Sequence, residues 1–366
     1  MARTNWPSNA LLDLIGTELP IIQAPMAGAQ GADLAIAVAQ AGGLGSIPCA
    51  MLREDAIREA AQQLRQASNR PFNLNFFCHR APEHDDQTEA AWQGRLAPFM
   101  AELGVEPPGK PGRARMPFDE AMCALVEELR PSIVSFHFGL PAPELFGRVK
   151  EAGAVVLASA TTVAEARFLT KAGVDAVIAQ GVEAGGHRGM FLETDVAGQV
   201  GTMALVPQIV DAVDVPVIAA GGIADGRAMA AAMALGASGA QIGTAYLLTP
   251  QSTISELHRA ALRASKDGDT ALTNVFTGRP ARGLSNRAVR ELGPMAPETP
   301  DFPLAANALA PLRKAAEARG SADFTPLWSG QAGALAREID AGELTRKIAD
   351  EALDRLRGLS AQTHGA

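Results

Sequence analysis

Short apolar runs recur along the chain. Each is closed by small or polar residues and followed by a stretch with helical spacing. They are IIQAPM (21–26), LGSIPC (44–49), FNLNFF (72–77), IVSFHFG (133–139), VVLASA (155–160), AVIAQG (176–181), VIAAGG (217–222) and GAQIGTA (239–245). Helical patterns lie between them at 32–41, 53–67, 118–129, 143–152, 163–172, 202–212 and 226–235. Apolar runs bounded by turn residues and alternating with helices predict parallel strands with crossover helices. Eight such runs, with polar residues at their ends throughout, fit a (β/α)8 barrel. A doubly wound open sheet is the alternative topology.

The regular spacing breaks twice. Segment 79–117 is long, polar and rich in Pro, Gly and charge, and reads as an excursion between the third strand and its helix. After Tyr246 the eighth strand is finished, yet 120 residues remain. Their pattern divides the chain into a barrel over 1–249, a smaller and mainly helical lobe over 250–330, and a C-terminal helix over 331–366 that returns to the barrel. The loop TGRPARGLSNR (277–287) interrupts the lobe.

Composition narrows the partners. With 32 Lys+Arg against 40 Asp+Glu the formal charge is -8, which argues against nucleic acid or an anionic membrane as the main partner. No run approaches the length of a membrane span, and the first residues lack an apolar signal stretch, so a cytoplasmic setting is expected. Three scattered cysteines, Cys49, Cys78 and Cys123, form neither a disulfide framework nor a thiolate metal site, and no metal is expected. They read as small apolar fillers.

In a parallel barrel the chemistry sits at the C-terminal strand ends. Gly221 and Gly222 end the seventh strand, and Gln241, Gly243 and Thr244 lie at the end of the eighth. Glycine lets the backbone approach an anion closely, and helix-start N–H groups favour a phosphate there. Thr244 offers a hydroxyl to the same group. The loop GVEAGGHRG (181–189), with Gly185 and Gly186, leaves room for a flat ring, and the amides of Asn73 and Gln180 suit the edges of a polar heterocycle. These features fit a flavin or a sugar phosphate.

Six histidines are present. His79 and His84 fall in the polar excursion, His258 on a helix read as exposed, and His364 in the tail, so all four are expected to be solvated. His137 lies between Phe136 and Phe138, and strand alternation turns it away from both, toward the barrel interior. His187 ends the glycine-rich loop. A core-satisfied His137 and a loop-anchoring His187 are the structural alternatives. With a pKa of about 6.5, either imidazole has the chemistry to orient an anion or take a proton. Glu183 reads as an acceptor for neighbouring N–H groups, Arg188 as a weak anion attractor, and Arg279, Arg282 and Arg287 as solvated or as cations near a substrate.

QAPMAG, NLNFF, SFHFG, QGVEAGGHRG, PVIAAGGI, GAQIGTA and LWSGQA, in this order from about residue 20 to 335, together resemble the nitronate monooxygenase family, formerly called 2-nitropropane dioxygenases. QAPM and EAGGH are shared with a wider group of FMN barrels that includes enoyl-ACP and quinone reductases. SFHFG is narrower and looks like the class I nitronate monooxygenases. The resemblance implies a TIM barrel with an added helical lobe and non-covalent FMN. It implies oxidation of alkyl nitronates, such as propionate 3-nitronate, by O2 through a flavin semiquinone, giving an aldehyde or oxo acid plus nitrite. It carries FMN contacts onto Asn73, Gln180, Gly185, Gly222, Gln241, Ile242, Gly243 and Thr244, with Pro25 and Met26 beside the isoalloxazine. His137 becomes the catalytic candidate and His187 its flavin- or substrate-side partner. The partners implied are an anionic nitronate and O2, on a monomer or homodimer. A family role for a tyrosine in the lobe has no candidate, because 250–366 contains none. An NAD(P)H-dependent FMN reductase and a catalytically idle flavin- or phosphate-binding protein are the rival readings.

Overall fold

The computed structural model describes residues 6–83, 85–108 and 116–363. His84 and His364 lie outside them. Each of the eight apolar runs holds a strand: β1 (Ile21–Gln23), β2 (Gly45–Pro48), β3 (Phe72–Phe77), β4 (Ile133–His137), β5 (Val155–Ala160), β6 (Ala176–Gln180), β8 (Val217–Ala220) and β9 (Gly239–Ile242). All neighbours pair parallel in the order β1-β9-β8-β6-β5-β4-β3-β2. A parallel bridge between Ile22 and Leu44 joins the two ends, so the ring closes and the (β/α)8 barrel replaces the open-sheet alternative.

Strand alternation sorts side chains into two cores. Outward residues such as Val134, Phe136, Val156 and Ala219 pack under the helices. Inward residues at the N-terminal end, among them Ile22, Leu44, Leu157 and Ile218, form an apolar plug. The helix Ala10–Ile15 seals that plug from below with Leu11 and Ile15. Above the plug the interior turns polar: the Asn73 side-chain amide donates to Ser46 Oγ and Ser135 Oγ at 3.1 and 2.9 Å. The bottom is therefore closed, and the open end is the C-terminal mouth.

The excursion after β3 contains a helix, Asp86–Leu103, capped by Asp85. Its buried Trp92, Leu96, Met100 and Leu103 recur at helical spacing. They join Phe276, Leu309, Leu312 and Phe324 in a separate core, so this excursion belongs physically to the lobe. Within 250–330 the helices Glu256–Ala264, Arg287–Leu292 and Ala305–Ala318 accompany a hairpin of β10 (Thr270–Thr273) and β11 (Ala281–Leu284). The two-residue β7 (Gly186–His187), from the loop after β6, adds to β11 and ties the barrel mouth to the lobe.

The last helix, Ala341–Thr363, lies against the helices Gly226–Ala234 and Ala32–Gln40. The buried Tyr246 hydroxyl bonds Thr345 Oγ1 at 2.7 Å across that seam. None of the described helices is long and apolar enough to cross a membrane.

The docking of this helix leaves no room for a methyl group at Gly226, where a Cβ would meet Glu351 Cβ at 2.3 Å and the Ala352 backbone nitrogen at 2.5 Å. Gly226→Ala is expected to lose about 1–3 kcal/mol. Gly147→Ala, in an open helical position, is expected to gain about 0.5–1 kcal/mol. Urea midpoints of the two variants should move in opposite directions.

Candidate active site

A cavity of about 520 Å³ opens between the C-terminal mouth of the barrel and the lobe. The strand ends supply its polar wall: Asn75 from β3, His137 from β4, Ser159 from β5, Gln180 from β6 and Gln241 from β9. His137 is the last residue of its strand and faces inward, as alternation requires. Phe136 faces the outer core, as expected. Phe138 does not: its φ of 71° turns the chain, and its ring lies 4.5 Å from the His137 ring.

Both nitrogens of His137 are engaged. Nε2 lies 3.2 Å from the His187 carbonyl oxygen, which accepts only, so Nε2 carries the proton. Nδ1, 3.0 Å from Ser159 Oγ, is left to accept the serine hydroxyl. Burial, opposed by the hydrogen bond to His187 and assisted by the nearby Arg279 and Arg188, pushes the imidazole down to about 3. It is a neutral hydrogen-bond donor at neutral pH. A Cβ on Gly189 would stand 2.9 Å from His137 Cε1, so the loop backbone closes against the ring.

That loop is tightly held. Gln180 Nε2 donates to the His187 carbonyl at 3.0 Å, and its Oε1 accepts from Gly189 N at 2.7 Å. His187 Nε2 bonds Thr277 Oγ1 of the lobe at 2.9 Å. Glu183 lines the cavity, but its carboxylate accepts from the N–H and hydroxyl of Thr202, which starts the next helix. Arg188 is fully buried and donates to the carbonyls of Gln180 and Gly181 and to Gln199 Oε1, so it braces the loop.

Glycines shape the cradle at the ends of β8 and β9. Gly221 and Gly222 have φ of 117° and 72°, which favour glycine, and a Cβ on Gly221 would meet Thr202 Oγ1 at 2.9 Å. Gly185 passes so close to the Gly330 nitrogen that a Cβ would lie 2.5 Å away. Gly186 also has a positive φ, 72°, and lines the cavity with Gly243 and Thr244. Thr244 Oγ1 accepts from Gly330 N at 2.9 Å, which leaves its proton free to donate. Pro25 and Met26 form the β1 side. Gln241 lines the cavity, and its Oε1 is buried without a partner.

Two expected contacts do not reach the cavity. Asn73 is fully buried one layer deeper, hydrogen-bonded to the serines, and Asn75, two residues on and on the same face, lines the wall instead. The Ile242 side chain belongs to the core beneath the helices, and its carbonyl accepts from Ala24 N. His79 and His258 are not solvated. His79 is buried and edge-on to Phe302 at 4.8 Å. His258 lines the cavity, donates from Nε2 to the Trp328 carbonyl at 3.1 Å, and is pushed down to about 4 by burial. Nor are the loop arginines simply solvated. Arg279 stacks on Phe138 at 4.1 Å, Arg282 bonds the Val182 carbonyl at 2.8 Å, and Arg287 pairs with Glu102 at 2.6 Å.

A family model described as "Nitronate monooxygenase" matches residues 8–351. The chain is 44% identical over 341 residues to a nitronate monooxygenase of Pseudomonas aeruginosa, covering 92% of this chain and 97% of the relative. It is 43% identical to one of Paraburkholderia phytofirmans, covering 93% and 94%. Among solved structures, a nitroalkane oxidase from Streptomyces ansochromogenes superposes with a TM-score of 0.87 at 40% identity, over 96% of this chain and 99% of that one.

His137 and His258 hold their pKa values well below the 6.5 of an unfolded histidine. Between the folded and unfolded values only the unfolded chain takes up the protons. Their contribution to stability is therefore complete above about pH 6.5 and is lost as pH falls toward 4. The urea midpoint should drop from pH 7 to pH 5, and drop less in His258→Gln. In ¹⁵N-histidine spectra the His137 ring should stay neutral and Nε2-protonated from pH 8 to pH 5; a titration near 6.5 would contradict the assignment.

Proposed function

This chain belongs to the nitronate monooxygenase family, and we propose that it oxidises alkyl nitronates with FMN as resident cofactor and dioxygen as oxidant. The observation that carries this reading is one cavity uniting three things: a glycine-cradled anion site at the ends of β8 and β9, an orphaned amide oxygen, and a buried neutral imidazole.

The residues fit the cofactor. Gly222 and Gly243 present backbone without a Cβ where a phosphate would lie, and the Thr244 hydroxyl is free to donate to it. Gln241 Oε1 supplies the acceptor that a ring N–H needs, and Asn75 adds an amide on the opposite wall. Bound FMN supplies one-electron exchange between an electron-rich anion and dioxygen, which ends in cleavage of the carbon–nitrogen bond to an aldehyde or oxo acid and nitrite.

The chain's own contribution is orientation and field. His137 Nε2–H is held by the His187 carbonyl, so donating to a nitronate oxygen means leaving that carbonyl, which keeps the Gln180 amide as a donor. Depressed to about 3, this imidazole is a poor base for a neutral nitroalkane. The substrate that suits it arrives as the preformed anion. Arg279, on the face of Phe138, adds positive potential behind the ring without entering the cavity wall. The loop from Ala184 to His187 lines the cavity beside the imidazole.

Purified protein should carry a flavin visible absorption band that bleaches anaerobically with an alkyl nitronate and not with NADPH. His137→Asn should keep its flavin and lose about 10–100-fold in kcat/KM, the worth of one hydrogen bond to a charged group. Colourless protein that refuses FMN, or bleaching by NADPH alone, would overturn the reading.

A further inference from the structure

The barrel is closed most thinly between β1 and β2. Their pairing is a single bridge, Ile22 with Leu44, in which Gln23 N donates to the Leu44 carbonyl and Leu44 N to the Ile21 carbonyl, both at 2.9 Å. Every other neighbouring pair in the ring carries a longer ladder. Beyond the bridge β1 leaves β2 while staying on β9, because Ala24 N still donates to the Ile242 carbonyl at 2.8 Å. Ser46, two residues past Leu44, is fully buried, so its N–H and C=O need partners that the backbone of β1 no longer provides.

Two side-chain amides supply them. Gln23 Oε1 accepts from Ser46 N at 3.0 Å, and Gln30 Nε2 donates to the Ser46 carbonyl at 2.7 Å. The amides also bond each other, Gln23 Nε2 to Gln30 Oε1 at 2.6 Å. Gln30 Oε1 takes a further donor, Met26 N, at 2.9 Å. A backbone N–H can only donate, so Ser46 N and Met26 N fix which end of each amide is the oxygen. The Gln30 side chain thus stands in for a missing peptide of β1. The segment it holds is cavity wall: residues 24–29 all line the space. Ala24 is anchored on β9. Ala29 is anchored on the lobe, where its carbonyl accepts from Thr253 N at 2.9 Å and Ser252 Oγ at 3.1 Å. Between those anchors the Met26 N–H is held by Gln30. A Cβ on Gly243 would come within 3.6 Å of Met26 Sδ, so the position of Met26 decides how much room is left beside the end of β9.

We propose that Gln30 is a positioning residue for the cofactor: its amide completes the β1/β2 seam and, by the same group, presets the Pro25–Met26 wall beside which the flat ring docks. Without that amide the turn is tied only at its ends and must be ordered when the ring binds, which weakens binding. The cofactor end of this inference rests on the FMN reading above; the seam does not.

The experiment has two arms. In the first, the Kd for FMN is read from holoprotein on dilution, by the fluorescence of released flavin, beside the urea midpoint of each form. Gln30→Met keeps the length of the side chain and loses both amide bonds. Its Kd should rise about 5–30-fold and its midpoint should fall. Gln30→Glu keeps the acceptor for Met26 N and loses only the donor to Ser46. Its midpoint should fall while its Kd stays close to that of the unaltered protein. A role confined to stability would lower both midpoints and leave both Kd values unmoved, and that result overturns the proposal, as does an equal rise of Kd in the two variants. The second arm needs no change at Gln30. In protein labelled with ¹⁵N-methionine and freed of FMN, the Met26 amide should be protected from exchange with solvent; exchange at the rate of an unstructured chain overturns the proposal. Protection of Met26 in a protein that takes up no FMN upholds the seam and removes the cofactor reading beneath it.

Discussion

A buried guanidinium is tolerated only when its N–H groups find acceptors, and Arg188 meets that condition with three oxygens from one stretch of chain. Burial draws its pKa down to about 10, still well above neutrality. The neighbouring anchor is Glu165, equally buried, whose carboxylate accepts from the backbone N–H groups of Thr161, Phe191 and Leu192. Two buried charges therefore fix the loop after β6 by its backbone at both ends. The fixed loop in turn places the His187 carbonyl against His137 and Gln180, and Gly189 against the imidazole. Replacing either charge by an apolar side chain would orphan several polar groups at once, so the geometry of the cavity and the stability of the loop are one property.

The barrel interior grades from apolar to polar along its axis. Leu11, Ile22 and Ile218 seal the bottom, an amide–serine layer lies above, and imidazole and amides line the mouth. A sealed bottom keeps the low-dielectric region directly beneath the polar groups, which strengthens each interaction there. His137 is the product of that gradient. It is too buried to be charged, and Ser159 on one side and a carbonyl on the other fix its tautomer. Positive potential is provided one layer back, through the face of Phe138, where the Arg279 guanidinium remains outside the space a substrate would fill.

The barrel was legible in the sequence because strands buried on both faces read as unbroken apolar runs, and turn residues mark where each one stops. The glycine mouth of β8 was legible for a related reason: positive φ at Gly221 and Gly222 excludes most other residues. What escaped the reading depended on tertiary context. The helix Asp86–Leu103 carries its apolar face at four buried positions in a polar stretch, and composition outweighed spacing there. Asn73 and Asn75 share a face, and only depth along the barrel separates a structural amide from one at the mouth, which proximity to the strand end would have indicated. His258 reads as solvated from its charged neighbours on the helix Glu256–Ala264. The side chain is buried because Trp328, some 70 residues on, folds back across it.

The lobe has its own hydrophobic core, distinct from those inside and outside the barrel, and meets the mouth through β7 and β11. This separation has a chemical consequence. Substitutions on the cavity side of the helix Ala305–Ala318 alter the space beyond the imidazole without touching the strand ends or the two buried charges that set the loop. The proposed anion cradle and the imidazole donor belong to the barrel, where closure of the ring makes each position depend on its neighbours. The far wall belongs to a helix that lines the cavity with Ala306, Leu309, Ala310 and Arg313. Changes there are felt locally, since side chains in separate cores share few partners. The far wall is thus physically separable from the groups that would hold the reacting atoms.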